Sequence, residues 1–302
     1  MNTTAPILLL ADASMSAPLV AALQTQAPEL ELLPYSRSLD HDALASVEVV
    51  LGWRFPPEVA GQLPALRWVC SMAAGVEKLL VPELAPGVAV SRVVDPDQAL
   101  GIAQYVVALA MNHVRQLPLY AAQQQQKQWR RHPMGAARLR VAVLGWGAIG
   151  REIGRVMQAL GFEVSGWRRN SGPLHELLAR SEIVVNALPL TAQTEGLLDA
   201  AALATMPRGA YLINIARGQH LVEADLIAAV RSGHLAGAAL DVQMIEPMLA
   251  DDPLWTEPGI TITPHIAGQS SPLTVAAQFI EGLRCLHRGS PLPNAVDRSL
   301  GY

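Results

Sequence analysis

Short apolar runs separated by glycine- or proline-containing turns recur along the chain, and they predict alternating strands and helices. The runs of strand length cover residues 6–10, 30–33, 47–51, 66–70, 88–94, 139–144, 162–166, 183–187, 211–215, 235–240 and 260–262. Those after residue 139 are apolar on both faces, as expected for parallel strands that helices cover on two sides. The pattern predicts an α/β fold built from parallel sheets.

Apolar residues at helical spacing occupy the gaps between these runs. Helices are predicted through Leu23, over 75–80, from Asp95-Pro96-Asp97 to about Gln116, over 151–161 and over 272–287. The segment Ala99–Val114 contains no Asp, Glu, Lys or Arg. It is interrupted by polar residues and is shorter than the roughly 20 apolar residues that a membrane span needs. We therefore expect a buried helix there rather than a transmembrane one.

A glycine-rich turn joins the strand at 139–144 to the helix at 151–161. Its sequence is the G-x-G-x-x-G fingerprint of dinucleotide-binding units, Gly145-Trp146-Gly147-Ala148-Ile149-Gly150. Gly145 permits a tight turn, Gly147 lets a pyrophosphate approach the backbone, and Gly150 lets helix and strand pack closely. The helix N-terminus adds N–H groups and a favourable dipole. We predict dinucleotide binding here, and the alternative is a plain strand-to-helix turn.

The end of the next strand bears on the choice of nicotinamide cofactor. NAD-binding domains carry an acidic residue about 20 positions past the glycines, whereas this strand ends in Trp167-Arg168-Arg169. Guanidinium groups bind phosphate in a bidentate manner and stay charged, so the site favours the 2′-phosphate of NADP(H). NAD(H) stays a second choice. The alternative is that Arg168 and Arg169 only solvate a loop.

Three polar side chains follow three predicted strands, at the end where open α/β sheets bind ligands. They are Arg217, Glu246 and His265. Hydride addition to a carbonyl is easier beside a proton donor, and His265 can donate if a carboxylate such as Glu246 favours its imidazolium. Arg217 can hold a substrate carboxylate and polarise the carbonyl. Singly they could be a capping arginine, a solvated loop residue and a satisfied histidine; together they favour carbonyl reduction.

Composition narrows the class of partner. The 302 residues are 51% hydrophobic with a net charge of −4 and a pI near 6.1, which gives no electrostatic footprint for nucleic acid. Cys70 and Cys285 are too few and too distant to predict a disulfide framework or a metal site. We expect a reducing, cytoplasmic setting with no metal, nucleic-acid or membrane partner.

The stretch Tyr120–His132 is polar and rich in glutamine, with Trp129 set in it. Two interpretations stay open for this stretch. It is either a solvated helix or an arm that contacts a second subunit, with Trp129 as its apolar anchor.

Taken together, the chain resembles the D-2-hydroxyacid dehydrogenase family over nearly its whole length, and within it the glyoxylate/hydroxypyruvate reductase A branch. The family likeness is carried by the glycine fingerprint, Leu188-Pro189-Leu190-Thr191 with Thr194, Ile213–Gly218, Leu240-Asp241-Val242 with Glu246-Pro247, and Thr263-Pro264-His265. The likeness to the branch is carried by Trp53, Arg168, Arg169, Val296-Asp297-Arg298 and Gly301-Tyr302. Ala73, Gln104 and Gln243 depart from the pattern, and Gln243 could alter the wall of the substrate pocket.

The resemblance implies two Rossmann-like or flavodoxin-like doubly wound parallel-sheet domains with a cleft between them. Residues 1–96 with 270–302 would form the substrate domain, and 97–269 the dinucleotide-binding Rossmann domain. The implied catalytic residues are Arg217, Glu246 and His265. The implied cofactor contacts beyond the glycine turn and the arginines are Leu188, Pro189, Thr194, Ile215, Ala216 and Asp241, the last facing the nicotinamide carboxamide. The implied substrate contacts are Trp53, Arg54, Ala74 and Gly75.

These expectations lead to one functional prediction. We expect a cytoplasmic oxidoreductase that uses NADPH to reduce small 2-keto acids, such as glyoxylate or hydroxypyruvate, to D-2-hydroxy acids. The family likeness further implies a homodimer. The alternative is a non-catalytic, dinucleotide-sensing binding protein of the same fold.

Overall fold

The computed structural model describes residues 5–11, 13–133 and 138–302, which divide into two compact α/β units. The first unit comprises the described residues up to Asp97 together with Gln269–Tyr302, and the second comprises Gln98–Gly268. The assignment of substrate to the first of these parts and of dinucleotide to the second stays a prediction.

The elements follow one another as alternating strands and helices. In chain order the strands are β1 (Ile7–Leu10), β2 (Leu32–Pro34), β3 (Val49–Gly52), β4 (Trp68–Ser71), β5 (Ala89–Ser91), β6 (Arg140–Leu144), β7 (Glu163–Trp167), β8 (Ile183–Asn186), β9 (Ala210–Asn214), β10 (Leu235–Leu240) and β11 (Ile260–Ile262). The helices are α1 (Ala13–Gln26), α2 (His41–Ala45), α3 (Pro57–Ala60), α4 (Pro96–Val114), α5 (Leu117–Gln125), α6 (Ala148–Ala159), α7 (Leu174–Leu178), α8 (Ala200–Thr205), α9 (Glu223–Arg231) and α10 (Pro272–Arg288).

In the described part of the first unit, five parallel strands form a sheet in the order β2-β1-β3-β4-β5. Strands β1, β3 and β4 are buried throughout. Helix α10 packs on this sheet, because Phe279 stacks on Trp68 of β4 with ring centroids 5.1 Å apart. A Cβ at Gly282 would lie 2.4 Å from the Trp68 ring, so glycine permits that approach. The C-terminal helix therefore belongs to the N-terminal sheet.

In the second unit, the described residues form a sheet of six parallel strands in the order β11-β10-β9-β8-β6-β7. Strand β6 lies between β7 and β8, so the winding of the chain reverses at this strand. Such a switch point opens a crevice at the carboxyl ends of the strands, where α/β sheets bind ligands. Strands β8 and β9 are fully buried, as their apolar sequences require.

The predicted fold class, with two parallel-sheet α/β domains, is confirmed. The predicted strand bounds differ from the observed ones by at most three residues. The helix predicted over 75–80 is wrong. The backbone N–H groups of Leu79 and Leu80 both donate to the Val76 carbonyl in a single turn, and Pro82 disfavours helical geometry at the residue before it. The helices α2, α3, α7, α8 and α9 have no counterpart among the predictions.

The long helix also differs from its prediction in where it ends. Helix α4 stops at Val114, and Gln116 adopts a left-handed conformation with φ 53° before α5 begins at Leu117. None of the helices in the described ranges has the length and hydropathy that a membrane crossing requires.

Candidate active site

The glycine turn after β6 leaves an open space at the start of α6. A Cβ at Gly145, where φ is 98°, would lie 2.3 Å from the Ala187 carbonyl oxygen, and one at Gly150 would lie 1.9 Å from the Gly145 carbonyl oxygen. A Cβ at Gly147 would meet no atom of the described residues within 4 Å. Gly147 is the N-cap of α6 and supplies no side chain to cap it. Since the first N–H groups of a helix attract anions, the start of α6 suits an anionic group.

Trp146, inside the glycine turn, fixes the position of the neighbouring elements. A Cβ at Gly154 of α6 or at Gly166 of β7 would lie 2.2 or 2.1 Å from its indole ring. The ring thus packs against two glycines that the fingerprint does not include. A large residue at the second position of the fingerprint, followed by glycine at both sites, could have indicated this packing from the sequence.

The two arginines predicted to select NADP(H) lie beside the glycine turn and the loop after β8. The Nε and Nη2 groups of Arg168 donate to the Trp146 carbonyl at 3.0 and 2.6 Å. Nη2 of Arg169 donates to Oε1 of Gln193 at 3.3 Å. The Trp167 indole donates to the Gly172 carbonyl at 3.0 Å and so holds the turn that follows. Arg168 and Arg169 are both exposed, and Arg168 contacts the turn that leads into α6.

The loop after β8 holds the predicted contacts Leu188, Pro189 and Thr194. The Thr194 side chain stabilises the shape of this loop. The Thr194 hydroxyl donates to the Pro189 carbonyl at 2.7 Å and accepts the Thr191 N–H at 2.9 Å. The Leu188 N–H donates to the side-chain oxygen of Asn186 at 3.2 Å. This loop therefore has a defined shape at the carboxyl end of β8.

A buried polar network, which the sequence did not reveal, connects this loop with the one after β9. Asn186 and Asn214 are register partners on adjacent strands, and the Asn186 amide donates to Oδ1 of Asn214 and to Nδ1 of His220, each at 3.0 Å. Because Nδ1 of His220 accepts, its Nε2–H is the group that donates to the Pro189 carbonyl at 3.2 Å. All three residues are fully buried. The only sequence signal was an asparagine at the end of each of two apolar strands.

The same network positions the segment that carries Arg217, Ile215 and Ala216. The Asn214 amide donates to the Arg217 carbonyl and its Oδ1 accepts the Ala216 N–H, at 3.0 and 3.2 Å. Arg217 is half-buried, and its Nη1 donates to the Ala216 carbonyl at 2.6 Å. A Cβ at Gly218 would lie 1.9 Å from the Gln243 carbonyl carbon. The segments after β9 and β10 are therefore in direct contact.

His265 and Glu246 form the pair that the sequence predicts. Nδ1 of His265 lies 3.0 Å from Oε2 of Glu246, and the other carboxylate oxygen accepts the Gln243 N–H at 3.1 Å. Both side chains are about one-third exposed, 34% for His265 and 30% for Glu246. The Gln243 side chain is buried and donates to the Leu240 carbonyl at 3.1 Å rather than forming an open pocket wall. The carboxylate is thus oriented by backbone, and it in turn orients the imidazole.

Asp241 is almost completely buried beneath the His265 loop. Its Oδ1 accepts the Ile266 N–H at 2.8 Å and the Thr263 hydroxyl at 2.6 Å, and its Oδ2 accepts the Ala267 N–H at 2.8 Å. The Tyr105 hydroxyl of α4 contacts Thr263 in turn. Burial raises the pKa of Tyr105, and the nearby Asp241 charge raises it further. The role of Asp241 toward a nicotinamide stays a prediction; the contacts here place it as a support for the 263–267 loop.

The predicted substrate contacts Trp53, Arg54, Ala74 and Gly75 lie in the first unit, after the adjacent strands β3 and β4. Nζ of Lys78 lies 5.6 Å from the centre of the Trp53 ring. The Ser71 hydroxyl donates to the Gly75 carbonyl at 2.8 Å and accepts the Ala73 N–H at 3.1 Å. Both segments therefore follow carboxyl ends of neighbouring strands in their own sheet.

With this geometry in place, comparison with known proteins identifies the class. Residues 107–267 match the family described as D-isomer specific 2-hydroxyacid dehydrogenase, NAD binding domain. The glyoxylate/hydroxypyruvate reductase A of Photorhabdus laumondii is 31% identical over 302 residues, covering 94% of this chain and 95% of that protein. The chain therefore belongs to the D-isomer specific 2-hydroxyacid dehydrogenase family of enzymes, and the predicted resemblance is confirmed.

Solved structures agree with this membership. A D-isomer specific 2-hydroxyacid dehydrogenase from Xanthobacter autotrophicus, in complex with NADPH and MES, is 35% identical with a TM-score of 0.90 and covers 99% of both chains. An NADPH-dependent glyoxylate/hydroxypyruvate reductase from Sinorhizobium meliloti, in complex with NADP and sulfate, is 29% identical with a TM-score of 0.90. That match covers 99% of this chain and 100% of the other.

Proposed function

We propose that this chain is an NADPH-dependent reductase that converts short 2-keto acids, glyoxylate and hydroxypyruvate among them, to D-2-hydroxy acids. The observation that carries the proposal is the His265–Glu246 pair, 3.0 Å apart, at the carboxyl end of a sheet whose switch-point strand leads into an open glycine turn. Relatives named glyoxylate/hydroxypyruvate reductase A support the substrate class.

The residues around the glycine turn fit a dinucleotide. The open space at Gly147 and the N-terminus of α6 suit a pyrophosphate. Arg168 and Arg169 suit a 2′-phosphate, and the strand end offers no carboxylate for a ribose hydroxyl. We therefore infer that NADP(H) is preferred over NAD(H). When bound, the reduced nicotinamide supplies a hydride to the carbonyl carbon.

The chain's own residues supply the proton and the electrostatics. Glu246 accepts the Nδ1–H of His265, which leaves Nε2 as the atom that gives a proton to the carbonyl oxygen as negative charge develops there. Arg217 binds the substrate carboxylate and polarises the same carbonyl, with its backbone held by Asn214. We assign further substrate contacts to Trp53, Arg54, Ala74 and Gly75, on the family likeness.

A kinetic panel tests the proposal against the binding-protein alternative. Purified protein is mixed with NADPH or NADH and with glyoxylate, hydroxypyruvate, pyruvate or a longer 2-keto acid, and loss of the reduced-nicotinamide absorbance is followed. We expect the highest kcat/KM with NADPH and the shortest polar keto acids. Tight NADPH binding without consumption on any substrate would replace the enzyme by a dinucleotide-sensing protein.

We also infer a homodimer, in which the arm at 120–132 contributes to the contact between subunits. Helix α5 accounts for the first part of this stretch, and the Tyr120 hydroxyl accepts the His132 N–H at 3.1 Å, which folds the second part back. Trp129 is 97% exposed, and a large apolar side chain so placed is typical of an interface anchor.

The dimer is tested by replacing that anchor. Trp129→Ala should weaken dimerisation in sedimentation velocity at low micromolar concentration, whereas Lys127→Ala on the same arm should not. If the parent protein is monomeric, or if both variants dimerise like the parent, the arm is a solvated segment.

A further inference from the structure

We propose that Tyr105, on α4, is a positioning residue for the proposed reduction. Tyr105 acts on His265 through Thr263 and Asp241. The predicted effect of Tyr105 on catalysis rests on the proposed function, whereas its predicted effect on the loop that carries His265 does not. Tyr105 and Thr263 are 158 residues apart in sequence, and their hydroxyl groups are in hydrogen-bond contact. No motif of the glycine turn or of the three strand-end segments includes Tyr105.

The direction of the hydrogen bonds follows from proton counting. Asp241 accepts at Oδ1 from the Thr263 hydroxyl at 2.6 Å, and that hydroxyl has only one proton to give. The Tyr105 hydroxyl must therefore donate to Thr263 Oγ1. Burial, together with the Asp241 charge, raises the pKa of Tyr105 and keeps it protonated as a donor. The order is Tyr105 to Thr263 to Asp241.

The end of this chain of bonds is the loop that carries His265. The Asp241 carboxylate accepts from the N–H groups of Ile266 and Ala267, each at 2.8 Å, and the His265 N–H donates to the Asp241 carbonyl at 2.9 Å. His265 itself has φ 54°, a conformation that a residue with a Cβ rarely adopts. Contacts on both sides of His265 therefore hold its backbone against that preference.

Tyr105 completes this support from outside the loop. Asp241 and Thr263 lie one residue beyond the ends of the adjacent parallel strands β10 and β11, whereas Tyr105 comes from α4, which packs on the sheet. Fixed hydrogen-bond donors hold the Asp241 carboxylate in one orientation, and that orientation sets the positions of Ile266 and Ala267. Removal of the Tyr105 hydroxyl would let the Thr263 side chain move first and then the Asp241 carboxylate. The His265 imidazole would finally lose its fixed orientation.

The test uses variants of the full chain that remove one hydroxyl at a time. Tyr105→Phe should lower kcat about 10-fold with little change in NADPH affinity, since small displacements of a catalytic group are costly. Thr263→Val should lower it further, and Thr263→Ser should restore most of it. Tyr105→Phe should add nothing in the Thr263→Val background, because both changes break one chain of bonds.

A second readout does not depend on activity. In hydrogen exchange of the protein without cofactor, Tyr105→Phe should speed exchange at Ile266 and Ala267, whose N–H groups end on Asp241, but not within β10. Tyr211→Phe is the matched control, because it removes a phenol whose partner is Thr261 rather than Thr263. It should alter neither kcat nor that exchange.

The two readouts separate the failure of this inference from the failure of the proposed function. If the parent protein reduces no keto acid but Tyr105→Phe still speeds exchange at 266–267, the proposed reductase is wrong and the positioning contact stands. If the parent is active and Tyr105→Phe leaves both kcat and exchange unchanged, Tyr105 has no positioning role. Equal effects from Tyr211→Phe would likewise reduce Tyr105 to a general packing residue.

Discussion

Two tyrosine–threonine pairs in the second unit have similar chemistry and different surroundings. Tyr105 donates to Thr263 beyond the carboxyl end of β11, and Asp241 stands behind that threonine. Tyr211, near the amino end of β9, bonds to Thr261 and stacks on His113 with ring centroids 4.2 Å apart. Burial raises the pKa of both phenols, that of Tyr211 to about 12. Both pairs consist of a tyrosine and a threonine, so they differ in the surroundings of the threonine: Thr263 donates to Asp241, which supports the loop of His265.

The two ends of the sheet differ in the same way. At the carboxyl end, the buried side chain of Asn186 bonds to His220, and both His220 and Asp241 bond to loop backbone. At the amino end, Tyr211 and His113 border a cavity of 680 Å³ whose other lining residues include Leu109 and Leu119. Burial there lowers the pKa of His113 and favours its neutral form. His220 and Asp241 thus hold loop backbone at the carboxyl end, whereas Tyr211 and His113 stack on each other at the amino end.

The largest expected effect at the carboxyl end comes from the proposed proton donor. His265→Ala should lower kcat by about 10²- to 10⁴-fold, as loss of a general acid does, and leave the Kd for NADPH nearly unchanged. Steady-state kinetics and fluorescence titration of NADPH measure the two quantities. His234→Gln, at the amino end of β10, is the control and should keep parental kcat. Weaker NADPH binding with normal turnover would contradict the role of His265.

A somewhat smaller effect is expected from the proposed substrate anchor. Arg217→Ala should lower kcat/KM for glyoxylate by about 10²-fold, because a fixed, charge-assisted contact to the substrate carboxylate is lost. Arg217→Lys should recover only part of it, since an ammonium cannot bind in a bidentate manner. The exposed Arg155, paired with Glu152 on α6, provides the control Arg155→Ala. Parental efficiency in Arg217→Ala would remove the anchor.

Replacing the two arginines proposed to bind the 2′-phosphate should have a smaller effect than replacing His265 or Arg217. Changing Arg168 and Arg169 together to Ala should raise the Kd for NADPH about 10- to 100-fold, the worth of hydrogen bonds to a charged group, and hardly change that for NADH. Isothermal titration with both nucleotides measures the difference. Equal weakening of the two would mean that these arginines only hold their partners within the protein, the Trp146 carbonyl for Arg168 and the Gln193 side chain for Arg169.

A feature of this fold can be predicted from the sequence when the residues that form it are close together in the chain. The glycine turn and the catalytic candidates could be predicted, because each is a residue type placed just after an apolar run. Asn186 and His220 could not, because they are 34 residues apart and meet only when β8 and β9 pair. Tyr105 could not either, since its helical position reads as part of an apolar face until the fold brings Thr263 to it.

One incorrect expectation has the same cause. The helix predicted over 75–80 has suitable spacing, but Pro82 limits it to one turn. Gln243 departs from the family pattern, and its side-chain amide donates to the Leu240 carbonyl, a buried partner that the sequence does not indicate. Side-chain direction depends on tertiary partners that spacing does not encode.

The most direct measurement is a single turnover of hydroxypyruvate with stoichiometric NADPH and excess protein, followed by chiral analysis of the product. We predict that all the NADPH is oxidised and that the product is the D-hydroxy acid. A bound but unoxidised NADPH would contradict the assignment of the carboxyl end of the second sheet as a site of reaction, and an L-product would contradict its proposed stereochemistry.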